Sequence, residues 1–315
     1  MTPALPATAA ADLAQAPPPA HDPAVVIAAV EAALPGARVT TITPLWGGMS
    51  AELHALVFED GREVVVRYPH PYQGTLHPDP VAHERDTLAA LYAAGLPVPA
   101  PLAIAGSGDD RCLVMQRLPG HPLVAPSDPD HYVRVMAETL AHIHTTPVAA
   151  FGFLPETRSS PKPPGASMDD DLRESEVRAA LGRWGAVTLG PTVLRHGDFW
   201  PGNVLWVDDR LTGVIDWENA LRGPALADLA ITRLDLWWAL GRAAMEAFTA
   251  HYLRLHPLPL DLLPYWDLRT ALRPMGDLAG WSAPYAALGR FDVTHATMRA
   301  DLLAFLDQAL SHPSS

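Results

Sequence analysis

The sequence predicts an α+β fold in two lobes: a small antiparallel-sheet lobe with one main helix, then a larger, mostly helical lobe. Three observations predict it. Five β-rich runs crowd into the first 117 residues, with one long helical pattern among them. Pro119-Gly120 then punctuates a change of character, and beyond it apolar residues recur mainly at helical spacing. Two short polar loops, around Asp198 and Asp216, interrupt that helical half between strand-like runs. With 315 residues and 49% apolar content, the chain can bury a sizeable core as one lobed domain or two small ones.

The elements follow in order. Residues 1–20 are Ala/Pro-rich, without a basic start or a strong apolar run, and read as a disordered lead and not a signal peptide. Asp22-Pro23 supplies an N-cap and a first-turn proline for a helix to about Leu34. Residues 38–44, 53–58 and 62–68 are β-rich, and Asp60-Gly61 is a hairpin signal between the last two. The loop of residues 46–50 joins the first two strands. Asp79-Pro80 opens a second helix ending near Gly95, and residues 96–104 and 111–116 read as two further strands. The lobe boundary falls within residues 117–121, giving a nucleotide-binding lobe over 21–117 and a catalytic helical lobe over 118–315. In the second lobe, residues 130–144 place Val133, Met136, Leu140 and Ile143 on one helical face. The Pro/Ser-rich residues 155–165 read as a mobile loop, and residues 169–184 as a helix with acids at its start. Residues 211–215 read as a strand, and residues 225–310 as helices broken near Pro257, Pro259, Pro264 and Pro274.

Composition narrows the function. A net charge of −13, from 35 acidic and 22 basic residues, argues against a nucleic-acid partner. It permits a cationic substrate, although a solvated acidic surface that merely aids solubility explains it more simply. The single cysteine, Cys112, sits in an apolar run, so no internal disulfide forms and a reducing, cytoplasmic compartment fits. No uncharged apolar stretch is long enough to span a bilayer.

The run His196-Gly197-Asp198-Phe199-Trp200-Pro201-Gly202-Asn203, followed by Ile215-Asp216-Trp217-Glu218, concentrates the chemistry. Asn203 follows Asp198 by five residues and Asp216 follows it by eighteen, the phosphoryl-transfer pattern H-x-D-x-x-x-x-N with a second aspartate on a later strand. Phosphoryl transfer asks the protein to place an acceptor hydroxyl in line and to take its proton. Asp198 is the expected base. Asn203 and Asp216 offer hard oxygens of the kind Mg²⁺ takes beside nucleotide phosphates. Taken singly, Asp198 reads as a turn cap, Asn203 as a Gly-Asn turn and Asp216 as a helix cap; at these joint spacings they read as a reaction centre. His196 is expected to tie the loop together, Trp200, Trp206 and Trp217 to pack in the core, and Asp228 to anchor the loop. His142 and His144 lie two apart and do not share a helical face, so a metal pair there is not expected.

Gly47-Gly48 between strands suits either a hairpin or close approach of backbone N–H groups to phosphate. Residues 64–67, Val-Val-Val-Arg, end a buried-strand run in a cation, with Glu84 on the next helix as its candidate partner. Arg differs from Lys in geometry. Lys162 is the chain's only lysine, so an arginine here follows the general usage of this sequence.

Together these residues resemble the aminoglycoside phosphotransferase family, kinase-like enzymes of small molecules, from about Leu45 to Asp228. The most specific pieces are His196-Gly197-Asp198-x-x-Pro201-x-Asn203 and Ile215-Asp216-Trp217-Glu218; Gly47-Gly48, Glu84 and Gly95-Leu96-Pro97-Val98-Pro99 are weaker. The resemblance implies a bilobal protein-kinase-like fold, ATP or GTP with Mg²⁺, and a small-molecule hydroxyl as acceptor. It implies Asp198 as base and Asn203 and Asp216 as metal ligands. Gly47, Gly48, Ser50, Arg67 and Glu84 would lie on the phosphate side, and Met115, Gln116 and Leu118 against the purine. Protein kinases fit less well. Gly197 replaces the arginine of H-R-D, Asp216 is not followed by Phe-Gly, and the full G-x-G-x-x-G is missing. The acceptor stays open among aminoglycosides, choline or ethanolamine, homoserine and sugars. Asp235, Asp267, Asp277 and Asp292 suit a polycation or an ordinary helix surface equally. A catalytically silent nucleotide-binding protein is the alternative of another class.

Overall fold

The computed structural model describes residues 21–45, 51–70, 73–74, 77–157, 163–165, 167–184, 187 and 190–311. The leading segment 1–20, Gly47, Gly48 and Ser50 of the glycine loop, and residues 158–162 of the expected 155–165 loop lie outside the described residues. The chain divides after Pro119 into two compact units.

The first unit opens with α1 (Pro23–Ala33) and continues through β1 (Val39–Leu45), β2 (Ala51–Phe58), β3 (Glu63–Pro69), α2 (Pro80–Ala93), β4 (Pro101–Ala105) and β5 (Cys112–Gln116). The strands form one antiparallel sheet in the order β1-β2-β3-β5-β4. Val64, Val66 and Tyr68 of β3 join Leu56, Phe58, Val114 and the buried Cys112 in a cluster with Val26 and Val30 of α1. Strand alternation turns Arg67 to the opposite face, where α2 carries its partner. The run expected as a strand over 96–104 pairs only from Pro101 onward. Pro97, Pro99 and Pro101 each lack an N–H, so the ladder starts at the last of them, on an edge strand. Burial raises the pKa of the Cys112 thiol, which behaves as a small apolar core group.

One device starts three helices. Asp22 accepts the N–H of Ala24 at 2.8 Å, Asp79 that of Ala82 at 3.0 Å, and Asp128 that of His131 at 3.0 Å, each with proline directly after it. The third case places α3 at Pro129–Thr145, capped by Asp128.

In the second unit, β6 (His121–Pro122), β8 (Val204–Val207) and β9 (Arg210–Val214) form one small sheet. β7 (Thr192–Arg195) pairs with β10 (Leu221–Pro224). The helices after α3 are α4 (Glu174–Arg183), α5 (Ala225–Leu240), α6 (Arg242–Leu255), α7 (Leu263–Ala271), α8 (Leu278–Ala287) and α9 (His295–Leu310). The helix expected from 169 begins only at Glu174. Ser175 N–H bonds to Asp170 Oδ1 at 3.0 Å, Asp169 N–H bonds to Glu174, and Arg173 turns left-handed at φ 61°, so the acids cap locally before the helix proper. α5 is buried from Ala225 through Ala239 and packs against α6, α7 and α9. A helix apolar on nearly every side belongs at the centre of its unit. Among the described residues, no helix is long and apolar enough to cross a membrane.

Candidate active site

The loop between β7 and β8 carries Asp198, and its shape comes from backbone bonds to buried side chains. His196 is fully buried. Its Nδ1 accepts the N–H of Asp198 at 3.2 Å and its Nε2 donates to the carbonyl of Ile215 at 3.0 Å. These two bonds define a neutral imidazole protonated at Nε2. They stitch the Asp198 loop to the end of β9, directly before Asp216. Gly197 has φ 83°, and a Cβ there would sit 2.3 Å from the Asn219 carbonyl oxygen, so glycine is the residue this turn admits.

The central helix α5 holds the same loop from beneath. Asp228 is fully buried and accepts Arg195 Nε at 2.8 Å, His196 N–H at 2.7 Å and Gly197 N–H at 3.2 Å. His144 Nε2 lies 3.4 Å from the same carboxylate, and its Nδ1 is 2.6 Å from the Tyr252 hydroxyl. Burial by itself raises a carboxyl pKa, but Arg195, with His144, outweighs it and holds Asp228 well below the usual carboxylate range. One turn on, Thr232 donates its hydroxyl to the Phe199 carbonyl at 2.7 Å. Asp228, Thr232 and Asp235 follow i, i+4, i+7 spacing and so share one face of α5. His144 thus serves a buried carboxylate. Trp206 and Trp217 are core residues at 1% and 2% exposure. Trp200 is half-buried, packed over Gly202 and edge-on to Tyr285 at 5.3 Å.

Asn203 donates Nδ2 to the backbone carbonyl of Asp198 at 2.9 Å and to its carboxylate Oδ2 at 3.3 Å. Both partners are acceptors, so the amide nitrogen must face them and the amide oxygen is turned away. Ile215 N–H donates to the Asn203 carbonyl at 2.9 Å, which ties the residue preceding Asp216 to the Asn203 turn. Asp216 is left-handed at φ 63°, a conformation rare outside glycine that aspartate tolerates best among charged residues. Such a position at the end of a strand is typical of functional loops. Among the described residues, no group of three or more His, Cys, Asp or Glu forms a self-sufficient metal cage. One carboxylate and one outward amide oxygen are hard donors that suit Mg²⁺ when phosphates and water complete its shell.

In the first unit, Arg67 and Glu84 are 5% and 7% exposed and pair at 3.0 Å. Removing one partner of a buried pair strands the other. Glu84→Ala is expected to lower stability by about 3–5 kcal/mol, measured by urea unfolding. In the segment of Met115, Gln116 and Leu118, the sheet already uses two N–H groups: Gln116 donates to Ala100 O and Arg117 to Glu63 O. Met115 is buried, Gln116 exposed and Leu118 half-buried.

The four acids that suited a polycation each have a partner within the chain. Asp267 takes two bonds from Arg233, at 3.2 and 3.0 Å. Asp292 takes two from Arg290, both at 2.8 Å. Asp277 caps α8 through Gly280 N–H at 3.2 Å, and Asp235 accepts the Tyr285 hydroxyl at 3.2 Å. Burial, offset in part by Arg273 and reinforced by Asp198, pushes the Asp235 carboxyl up to about 7. An unfolded aspartate titrates near ~3.9. Between these values the folded chain keeps a proton that the unfolded chain has lost, so stability falls as pH rises through the window and levels off above it. Asp235→Asn removes this titration. The variant is expected to gain stability relative to the parent between pH 5 and pH 8, read from denaturation midpoints at each pH.

Fold and loops together define a kinase-like phosphotransferase architecture. Residues 41–263 match the family model APH, described as the phosphotransferase enzyme family, and the chain belongs to that family. Acyl-CoA dehydrogenase family member 11 of Gallus gallus is 28% identical over 204 residues, 56% of this chain, and the chain spans 25% of that relative's length. The solved structures that share the fold include two phosphotransferases. The macrolide 2′-phosphotransferase MphH from Brachybacterium faecium superposes with a TM-score of 0.58 at 21% identity, covering 89% of this chain and 97% of that one. A thermostable variant of aminoglycoside phosphotransferase APH(4)-Ia, in ternary complex with AMP-PNP and hygromycin B, gives 0.57 at 19% identity, covering 86% and 94%.

Proposed function

We propose that the chain transfers the γ-phosphoryl group of ATP or GTP to a hydroxyl of a small molecule. The observation that carries the reading is the stitched loop pair. Asp198 is bonded to Asn203, and His196 and Ile215 link that turn to Asp216. In this reading Asp198 takes the acceptor hydroxyl proton, the freed oxygen electron pair forms the new O–P bond, and the bond from the γ-phosphorus to the nucleoside diphosphate oxygen breaks. Asn203 and Asp216 would hold Mg²⁺, whose charge would offset that of the phosphates. Arg67, held by Glu84, would contact the nucleotide phosphates, with Gly47, Gly48 and Ser50 as further phosphate-side residues. Met115, Gln116 and Leu118 would take the purine. The AMP-PNP bound to the APH(4)-Ia variant supports a nucleotide as donor.

The acceptor named for that structural relative is an aminoglycoside, and for MphH a macrolide. Because Asp235, Asp267, Asp277 and Asp292 are engaged inside this chain, the reading does not route acceptor recognition through them. Choline or ethanolamine, homoserine and sugars remain acceptor classes to assay.

A screen for nucleoside diphosphate release tests the reading, with aminoglycosides, macrolides, choline, homoserine and sugars as acceptors. Acceptor-dependent release is expected from the wild type and not from Asp198→Asn. Mg²⁺-dependent thermal stabilisation by nucleotide without release on any acceptor would instead identify a silent nucleotide-binding protein. Ligand stabilisation of about 2.7 kcal/mol at a hundred-fold excess over Kd makes that outcome easy to see.

A further inference from the structure

Asp198 is held at both carboxylate oxygens. Oδ2 faces Asn203 Nδ2 at 3.3 Å, and Oδ1 takes Nη2 of Arg273 at 2.5 Å. Arg273 lies 75 residues downstream, just past the end of α7. Its own N–H bonds to Thr270 O at 2.9 Å, and Pro274 follows and ends the helical run. The guanidinium carbon sits 5.2 Å from the ring centroid of Trp281 on α8, and Trp281 packs edge-on to Trp238 of α5 at 6.0 Å. Three helices therefore fix the guanidinium, and the guanidinium fixes the carboxylate. Burial works against the Arg273 charge, but Asp198 and Asp235 outweigh it and raise its pKa.

We infer that Arg273 is a positioning residue for the proposed base. It sets the carboxylate plane of Asp198 so that a remaining lone pair meets the acceptor hydroxyl. The inference rests on the phosphotransfer reading above. Phosphoryl transfer passes through a loose transition state with little bond formation to the acceptor, so the base needs direction more than strength. A misplacement of about 1 Å costs on the order of 10²-fold in rate. Both side chains are partly exposed, 29% for Arg273 and 24% for Asp198, so as a stabilising ion pair alone the contact is worth little.

The test uses the full chain with Mg²⁺ and ATP, and compares wild type, Arg273→Ala, Arg273→Lys and Asp198→Asn for ADP release, with the best acceptor and with water alone. Arg273→Ala is expected to lose about 10²-fold in kcat, with KM for ATP and the melting temperature little changed. Added methylguanidinium is expected to restore most of that loss in Arg273→Ala and nothing in Asp198→Asn. Arg273→Lys keeps the charge without the planar fork and is expected to fall between. Unchanged kcat in Arg273→Ala, or a loss that methylguanidinium does not rescue, overturns the inference. Unchanged turnover in Asp198→Asn overturns the phosphotransfer reading instead. Crystal structures of wild type and Arg273→Ala supply a readout that needs no turnover. One Asp198 orientation in the first and several in the second is the expected result, and the same single orientation in both contradicts the inference.

Discussion

Asp198→Asn is expected to lower acceptor-dependent turnover by about 10²–10⁴-fold, the range spanned by a positioned acid–base group. The substitution keeps the volume of the side chain and keeps one acceptor oxygen for Arg273. Its new amide nitrogen faces Asn203 Nδ2, a donor, at a cost of one weak hydrogen bond. It removes the proton-accepting charge and leaves the His196 and Asp228 contacts that shape the loop untouched. Nucleotide affinity, measured by calorimetry with Mg²⁺ present, should stay within a few-fold of the parent. A fall in kcat with preserved nucleotide binding places the lost interaction in the transition state. A fall in both would mean that the loop itself had rearranged.

Asp228→Ala is expected to carry a stability cost of about 3–5 kcal/mol. It takes from Arg195, and from the N–H groups of His196 and Gly197, an acceptor in a fully buried place. A total stability of ~5–15 kcal/mol leaves little margin for such a loss, so reduced soluble yield and an earlier denaturant midpoint are expected. Asp228→Asn keeps an acceptor oxygen and a similar shape, and should lose less. The pH dependence has a definite sign. The folded pKa lies below the unfolded one, so this carboxylate stabilises fully above the usual aspartate range, and its contribution is lost as pH falls from that range to its depressed folded value. At neutral pH the difference between Asp228→Ala and the parent should therefore be constant, and it should shrink once pH falls below the usual aspartate range.

What could be read in the chain and what could not divides along sequence distance. His196, Asp198, Asn203 and Asp216 lie within 21 consecutive residues, so their spacing alone suggested one loop pair, and the structure joins them by backbone bonds. Arg67 and Glu84 were legible because a cation ending a buried strand needs a partner and the next helix offers one. The five-strand sheet is legible from apolar runs and from Asp60-Gly61, and its edge strand is shorter than the run over 96–104 because the prolines at 97 and 99 lack the N–H that pairing needs. Arg273 and Tyr285 gave no local signal: their partners Asp198 and Asp235 are 75 and 50 residues away. Thr232 and Asp235 did leave one. They repeat the spacing of Asp228 on a mostly apolar helix, and buried polar residues on such a helix must find partners.

The most direct test of the central claim, that Asp198, Asn203 and Asp216 form one phosphoryl-transfer centre, is ³¹P NMR of the products made from Mg²⁺-ATP and an acceptor mixture. Wild type is predicted to give ADP together with a phosphomonoester resonance, and Asp198→Asn, Asn203→Ala and Asp216→Asn are each predicted to give neither. ADP and inorganic phosphate formed at equal rates by the wild type and all three variants would contradict the claim.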